Sequence, residues 1–352
     1  MEQFDMDRRS FLGMISIGGV AAVFPAAFSS VAFGADSRPQ KGMVSFTFDD
    51  GIVSAHQTAF PVLKSRGQVA TAGIVAGMLG TNDDYMNARQ VRELEQNGWE
   101  IASHGLTHTR PTQIPLTLKQ EPISGFVADK QHPGRYHAQY DYDFIAGLYQ
   151  DGKPLTEVET CEQLTALPGA YWYDRPIAEL HVHPLRGGNP AKLNIRAGSY
   201  QREMEESKRI LTGLGFTVDT FIAPYNYWTD DVAALCKLSY ARACIGKDSD
   251  NRADSFDPFA IKRFMGHTKD SPQSIIRIIR EHALAHNSWV LFCLHGVGQP
   301  IGWEPYPVES LDRVSAWVAE QGIPVVTVRQ GTQIMRAQAT TLSQRTGPDA
   351  KP

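Results

Sequence analysis

The chain has 352 residues, of which 42% are hydrophobic and 20% charged, and its formal net charge is -4. This suits one large α/β domain or two medium ones, since barrels of that general kind run to roughly 250 residues. It excludes a disordered chain and any strong field directed at nucleic acid or a membrane surface, so charge names no partner.

Residues 1–35 stand apart. Asp7-Arg8-Arg9-Ser10-Phe11-Leu12 precedes an uncharged Gly/Ala/Val/Ile-rich run from Gly13 to Phe33. The pattern resembles a twin-arginine export signal, with small residues offering cleavage sites after Ala32 and before about Asp36. It implies the twin-arginine machinery as a partner and a periplasmic or extracellular destination. Four cysteines, Cys161, Cys236, Cys244 and Cys293, show no close CxxC spacing. An oxidising compartment would allow a Cys236–Cys244 disulfide, but the apolar runs around Cys244 and Cys293 favour buried thiols.

From Met43 onward short apolar runs alternate with amphipathic segments. The expected elements are strand 43–48, helix 53–66, strand 69–75, helix 88–97 and strand 99–103. The pattern resumes with helix 200–214, strand 217–222, helix 229–239, strand 241–245, helix 272–286, strand 288–294, helix 308–320 and strand 323–328. Alternation of this kind predicts parallel strands with helices outside, as an open sheet or a barrel. One catalytic domain over 40–335 is expected, with a flexible tail over 336–352. Within it, 110–196 lapses into a Pro-, Gly- and aromatic-rich insertion that reads either as a cap with its own minor core or as a ring-lined wall facing carbohydrate.

Chemistry gathers at three predicted strand ends, where active sites of β/α folds form. The first is Thr47-Phe48-Asp49-Asp50-Gly51, in which two adjacent carboxylates close an apolar run. An Asp-Gly turn would explain the pair, and so would a metal ion with a base beside it. The second is Ser103-His104-Gly105-Leu106-Thr107-His108, and the third is His295 after Trp289-Val290-Leu291-Phe292-Cys293-Leu294. With 11 histidines a His-x-x-x-His pair arises readily by chance, and His282/His286 is a second one, placed on a helix expected to pack outside the sheet. His181 and His183 would bind metal only if the insertion folded over the site.

These three motifs, in this order over 43–328, resemble the NodB-homology polysaccharide deacetylases of carbohydrate esterase family 4. The resemblance implies a distorted (β/α) barrel with a long insertion between strands. It implies a divalent metal, usually zinc with cobalt or another ion able to serve, on Asp50, His104 and His108, with an open position for an activated water. By the same carry-over Asp49 is the base, His295 the acid that protonates the leaving amine, and a backbone N–H near Pro224 and Tyr225 part of an oxyanion site. The substrate so implied is an N-acetylated glycan. Acetyl esters, cyclic imides or ureides, and a non-catalytic glycan-binding protein are the alternatives.

The third motif departs from the family pattern. It usually carries an arginine before the prolines and a Tyr-Gly after them, whereas this chain reads Phe221-Ile222-Ala223-Pro224-Tyr225-Asn226. Either Arg263, on a neighbouring strand in Ile261-Lys262-Arg263-Phe264, supplies the missing charge to Asp49, or Asp49 is oriented differently. Asp248, Asp250 and Asp257 compete as the acidic partner of His295.

Overall fold

The computed structural model describes residues 42–117, 120–189 and 192–346. The expected signal over 1–35 lies outside them. Seven parallel strands close a barrel: β1 (Met43–Phe48), β2 (Thr71–Ile74), β3 (Glu100–Ser103), β4 (Thr220–Ile222), β5 (Arg242–Gly246), β6 (Ile261–Met265) and β7 (Trp289–Leu294), in the spatial order β1-β7-β6-β5-β4-β3-β2. Every residue of β1 and β7 is buried, which is why these strands read as near-continuous apolar runs rather than alternating ones. The strand period of two then sorts their side chains. Met43, Ile222, Ile261, Trp289 and Leu291 fill the barrel interior, while Val44, Phe46, Phe48 and Phe292 pack outward under the helices. That period carries Thr47, Asp49 and Cys293 to the inner side at the top of the barrel.

The outer helices show apolar spacing of three and four. Helix Tyr200–Gly213 buries Tyr200, Glu203, Met204, Ser207 and Leu211, one stripe that meets the barrel and brings a single carboxylate inward. The expected helix over 272–286 is helical throughout and that over 53–66 ends at Lys64; both are partly wider, since Ala55–Ala59 and Ile279–Leu284 are π-helical, continuous with α-helices Phe60–Lys64 and Pro272–Ile278.

The expected strand over 323–328 is a single bridge, Val44 to Val325. β2 covers β1 only at Thr47 and Phe48, so residues 324–326 close the lower gap through Val44 N–H to Pro324 O and Val326 N–H to Val44 O. Pro324 has no N–H to extend a ladder. Thr327 then ends the segment by capping a helix: Gln330 N–H donates to its Oγ1, and its own N–H donates to Gln330 Oε1. That helix, Val328–Thr346, occupies the beginning of the stretch expected to be a flexible tail, and residues from 347 on lie outside those described.

The insertion forms a five-stranded and a four-stranded sheet around its own apolar cluster, which takes in Phe126, Tyr136, Tyr140, Leu148, Tyr171, Leu180 and Val182. Three of its tyrosines are thus core residues. Cys236, Cys244 and Cys293 are buried free thiols, and Cys161 is a free thiol partly open to solvent.

Candidate active site

The ends of β1, β3 and β7 meet at one face of the barrel. Asp49 N–H donates to Leu294 O and holds the first motif to β7. Beyond it the chain turns through Asp50 at φ 68 and Gly51 at φ 73. A non-glycine residue in the left-handed region costs backbone energy, and such strain collects at functional sites. His108 at φ 59 and Tyr225 at φ 56 share that conformation, so three side chains of the site sit on strained backbone. Gly105 at φ 82 lets the second motif pass close to Pro224 and Glu203. Glu203 pins that loop, accepting from Thr107 N–H at 2.8 Å and Thr107 Oγ1 at 3.0 Å.

Asp50, His104 and His108 converge. Oδ1 of Asp50 lies 3.3 Å from His104 Nε2 and 3.4 Å from His108 Nε2, is buried, and has no hydrogen-bond partner among the described residues. A buried carboxylate oxygen left in this way is costly unless a cation fills the gap. His104 Nδ1 donates to Ile222 O at 2.9 Å, which leaves Nε2 facing the carboxylate as a ligand nitrogen would. Burial opposes a charge on His104, but Asp49 and Asp50 more than offset it and raise its pKa. The two carboxylates therefore demand positive charge at that nitrogen, from a proton or a metal. Burial, then the neighbouring His104, pushes His108 down to about 4, so its nitrogen is free to ligate near neutral pH. Burial would raise the Asp50 carboxyl, yet the imidazoles of His104, His108 and His295 hold it far below the usual carboxylate range.

Two other groups of donors lie among the described residues, and a guanidinium stands beside each. Asp49, Cys293 and His295 form one, but Arg263 already neutralises Asp49 and burial drives the Cys293 thiol well above its ordinary value. Asp250, His282 and His286 form the other, on the outside of the barrel. There Arg252 Nε lies 3.2 Å from Asp250 Oδ2 and its Nη2 lies 2.8 Å from His286 Nδ1. Only the Asp50 group lacks a resident cation.

Asp49 is held from inside the barrel. Arg263, fully buried on β6, places Nη1 2.8 and 2.9 Å from the two carboxylate oxygens and 2.9 Å from Thr47 Oγ1. Its Nη2 donates to Asn226 Oδ1 at 2.7 Å. The Cys293 thiol donates to Asp49 Oδ2 at 3.3 Å. Burial would raise the Asp49 carboxyl, but Arg263, with His104 and His295, brings it below the ordinary carboxylate value. Ile222, where the family pattern has its arginine, is buried in the interior and contributes only its carbonyl.

His295 lies within reach of Asp49, and its ring meets Trp303 edge-on at 5.2 Å. Its Nδ1 is buried without a partner among the described residues. None of the three aspartates considered for it serves: Asp248 accepts from Met265 N–H, Asp257 from Phe259 N–H, and Asp250 pairs with Arg252. His181 and His183 bond within the insertion, to Glu179 and to Leu164 O. Trp303, Asn226 and Glu203 carried no signal of their own in the sequence, although Asn226 stands where the family pattern has glycine.

Comparison with known proteins bears on the first two motifs. Residues 36–125 match the family model described as polysaccharide deacetylase. YxkH of Bacillus subtilis (strain 168), whose name assigns it provisionally to the polysaccharide deacetylases, is 29% identical over 149 residues, which are 42% of this chain and 52% of that protein. The chain thus matches about half the length of this curated relative. Among solved structures, the Xyl-CE4 domain of a multidomain xylanase from the hindgut metagenome of Trinervitermes trinervoides overlays with TM-score 0.44 at 14% identity, over 84% of this chain and 91% of that one. Peptidoglycan deacetylase PdaC from Bacillus subtilis overlays with TM-score 0.44 at 12% identity, over 88% and 99%. The match to the polysaccharide deacetylase family model spans the residues that hold Asp49, Asp50, His104 and His108.

Proposed function

We propose that this protein is a divalent-metal-dependent hydrolase that removes N-acetyl groups from an N-acetylated glycan and releases acetate. The observation that carries the reading is Oδ1 of Asp50, buried without a hydrogen-bond partner among the described residues and facing two imidazole nitrogens at 3.3 and 3.4 Å. Asp50, His104 and His108 would hold the ion, zinc or cobalt by the chemistry of one carboxylate and two imidazoles. Such an ion supplies a Lewis acid for the acetyl carbonyl and makes a water acidic enough to attack it at neutral pH.

The remaining steps fall to this chain's own groups. Asp49 stays ionised beside Arg263 and accepts the proton that the attacking water loses. The water oxygen bonds to the acetyl carbon, and the carbon–nitrogen bond then breaks. An amine leaves only when protonated, and His295, from the end of the neighbouring strand β7, gives it that proton. Acetate and a free amino sugar are the products. The Arg8-Arg9 segment supports export by the twin-arginine route, and fractionation of the Arg8→Lys/Arg9→Lys variant tests it.

The test of the activity is acetate release from N-acetylglucosamine oligomers with added zinc or cobalt, by wild type and by Asp49→Asn. Release by wild type with loss in the variant supports the reading. Absence of release from any panel of glycans and acetyl esters, with metal bound, overturns it.

A further inference from the structure

Three flat groups lie in a row at the mouth of the site, with the His108 and Tyr225 rings tilted 40° to each other. The ring of Tyr225 lies 4.6 Å from that of His108, and the guanidinium carbon of Arg110 lies 4.5 Å from the centre of the same tyrosine ring. Tyr225 is half exposed, so the row stands in solvent at its outer end. Arg110 is exposed, yet its backbone is fixed. Its N–H donates to Gln113 Oε1 at 2.9 Å, Pro111 follows it, and Thr109 before it joins the Thr107 hydroxyl and hence Glu203. Among the described residues no carboxylate lies within ion-pair distance of Arg110.

We infer that Arg110 is a specificity residue for a carboxylate carried by the glycan, on the acetylated sugar or its neighbour. This rests on the deacetylase reading and narrows its substrate class. An arginine needed only for charge would seek one of the acidic residues available at the surface, whereas this one is spread against an aromatic ring. Stacking leaves the N–H edges of the guanidinium free for a bidentate carboxylate while the ring absorbs its face. One ring's thickness separates it from His108, so a sugar with its acetamido group at the site places an adjoining substituent within reach. The shared chemistry is the carboxylate, whether from the lactyl ether of N-acetylmuramic acid or from a uronic acid.

The experiment compares three oligosaccharides of equal length: all N-acetylglucosamine, alternating N-acetylglucosamine and N-acetylmuramic acid, and alternating N-acetylglucosamine and glucuronic acid. Turnover and calorimetric binding are measured for wild type, Arg110→Gln and Arg110→Lys. Wild type should bind and turn over one carboxylated series about tenfold better than the neutral one. Arg110→Gln should lose that preference through KM, Arg110→Lys should keep part of it, and the neutral oligomer should respond little. Equal losses on all three substrates, or wild-type preference for the neutral oligomer, would assign Arg110 to ring packing and overturn the inference. Binding decides it independently of turnover: carboxylate-dependent affinity that vanishes in Arg110→Gln upholds the inference even where no acetate appears, a result that would instead strike the deacetylase reading.

Discussion

Arg263 presents one guanidinium nitrogen to both carboxylate oxygens of Asp49, at 2.8 and 2.9 Å, from a strand on the far side of β7. Both side chains are closed to solvent. A buried pair of this kind is a poor source of net stability, but removal of one partner leaves the other charge stranded. Arg263→Met should therefore cost about 3–5 kcal/mol in urea unfolding. In Asp49→Asn/Arg263→Met, which removes both charges, much of that loss should return. If the single and double variants unfold alike, the charge pairing does not set the cost.

Asn226 is the neighbour that makes Arg263 fit. The position needs φ 53, which asparagine tolerates better than most residues, and its side chain enters space that any Cβ on Gly246 would occupy. Asn226→Gly keeps the backbone and loses the acceptor for Nη2 together with the weak Nδ2 contact to Met265 Sδ. It should lower acetate release severalfold with a stability change under about 1 kcal/mol. Asn226→Leu adds strain and should lower both. A fully active Asn226→Gly would show that Arg263 needs no second anchor.

The strand ends that form the site were legible because each combines an apolar run with a chemical residue at its terminus. The two His-x-x-x-His pairs separated by position: His104 and His108 bracket a glycine in a loop, whereas His282 and His286 lie on a helix. His181-x-His183 is simply a strand, with Leu180 and Val182 buried and alternating with the histidines. The insertion was opaque because its strands run two to five residues, too short for a period to show, and its tyrosines read equally as core or as wall. The Thr327–Gln330 cap was readable as T-x-x-Q, and its presence explains why the last apolar run ends in a helix rather than an eighth strand. The relocation of the arginine to β6 left one mark, asparagine in the place of glycine, whose meaning depends on a contact between distant strands.

Metal binding should be single and local. Calorimetry with zinc on wild type should give one tight equivalent, and Asp50→Ala or His104→Ala should abolish it, since each removes a ligand and, among the described residues, the other two donor groups each have a guanidinium beside them. Saturating zinc at a hundredfold its Kd should add about 2.7 kcal/mol to the unfolding free energy, and a chelator should reverse this. Asp250→Asn should leave the stoichiometry unchanged. A second equivalent that disappears in that variant would show that Arg252 yields its place to metal.

The Asp250 group should appear instead in acid stability. Burial alone would raise the Asp250 carboxyl, but the Ser288 hydroxyl first, then Arg252 and His286, bring it below its ordinary 3.8. A carboxyl whose folded value is depressed stabilises the fold above the unfolded value, and the contribution fades as pH falls through the folded one. At pH 7 Asp250→Asn should thus be less stable than wild type by about 1–2 kcal/mol, with half-exposed Arg252 limiting the effect. The difference should begin to close as pH drops below 3.8 and be smallest once the wild-type carboxyl is protonated. Paired thermal melts at pH 7, 4 and 3 measure this. A gap that stays constant across the range would mean that Asp250 holds the helix to the loop through its shape and neutral hydrogen bonds, without its charge.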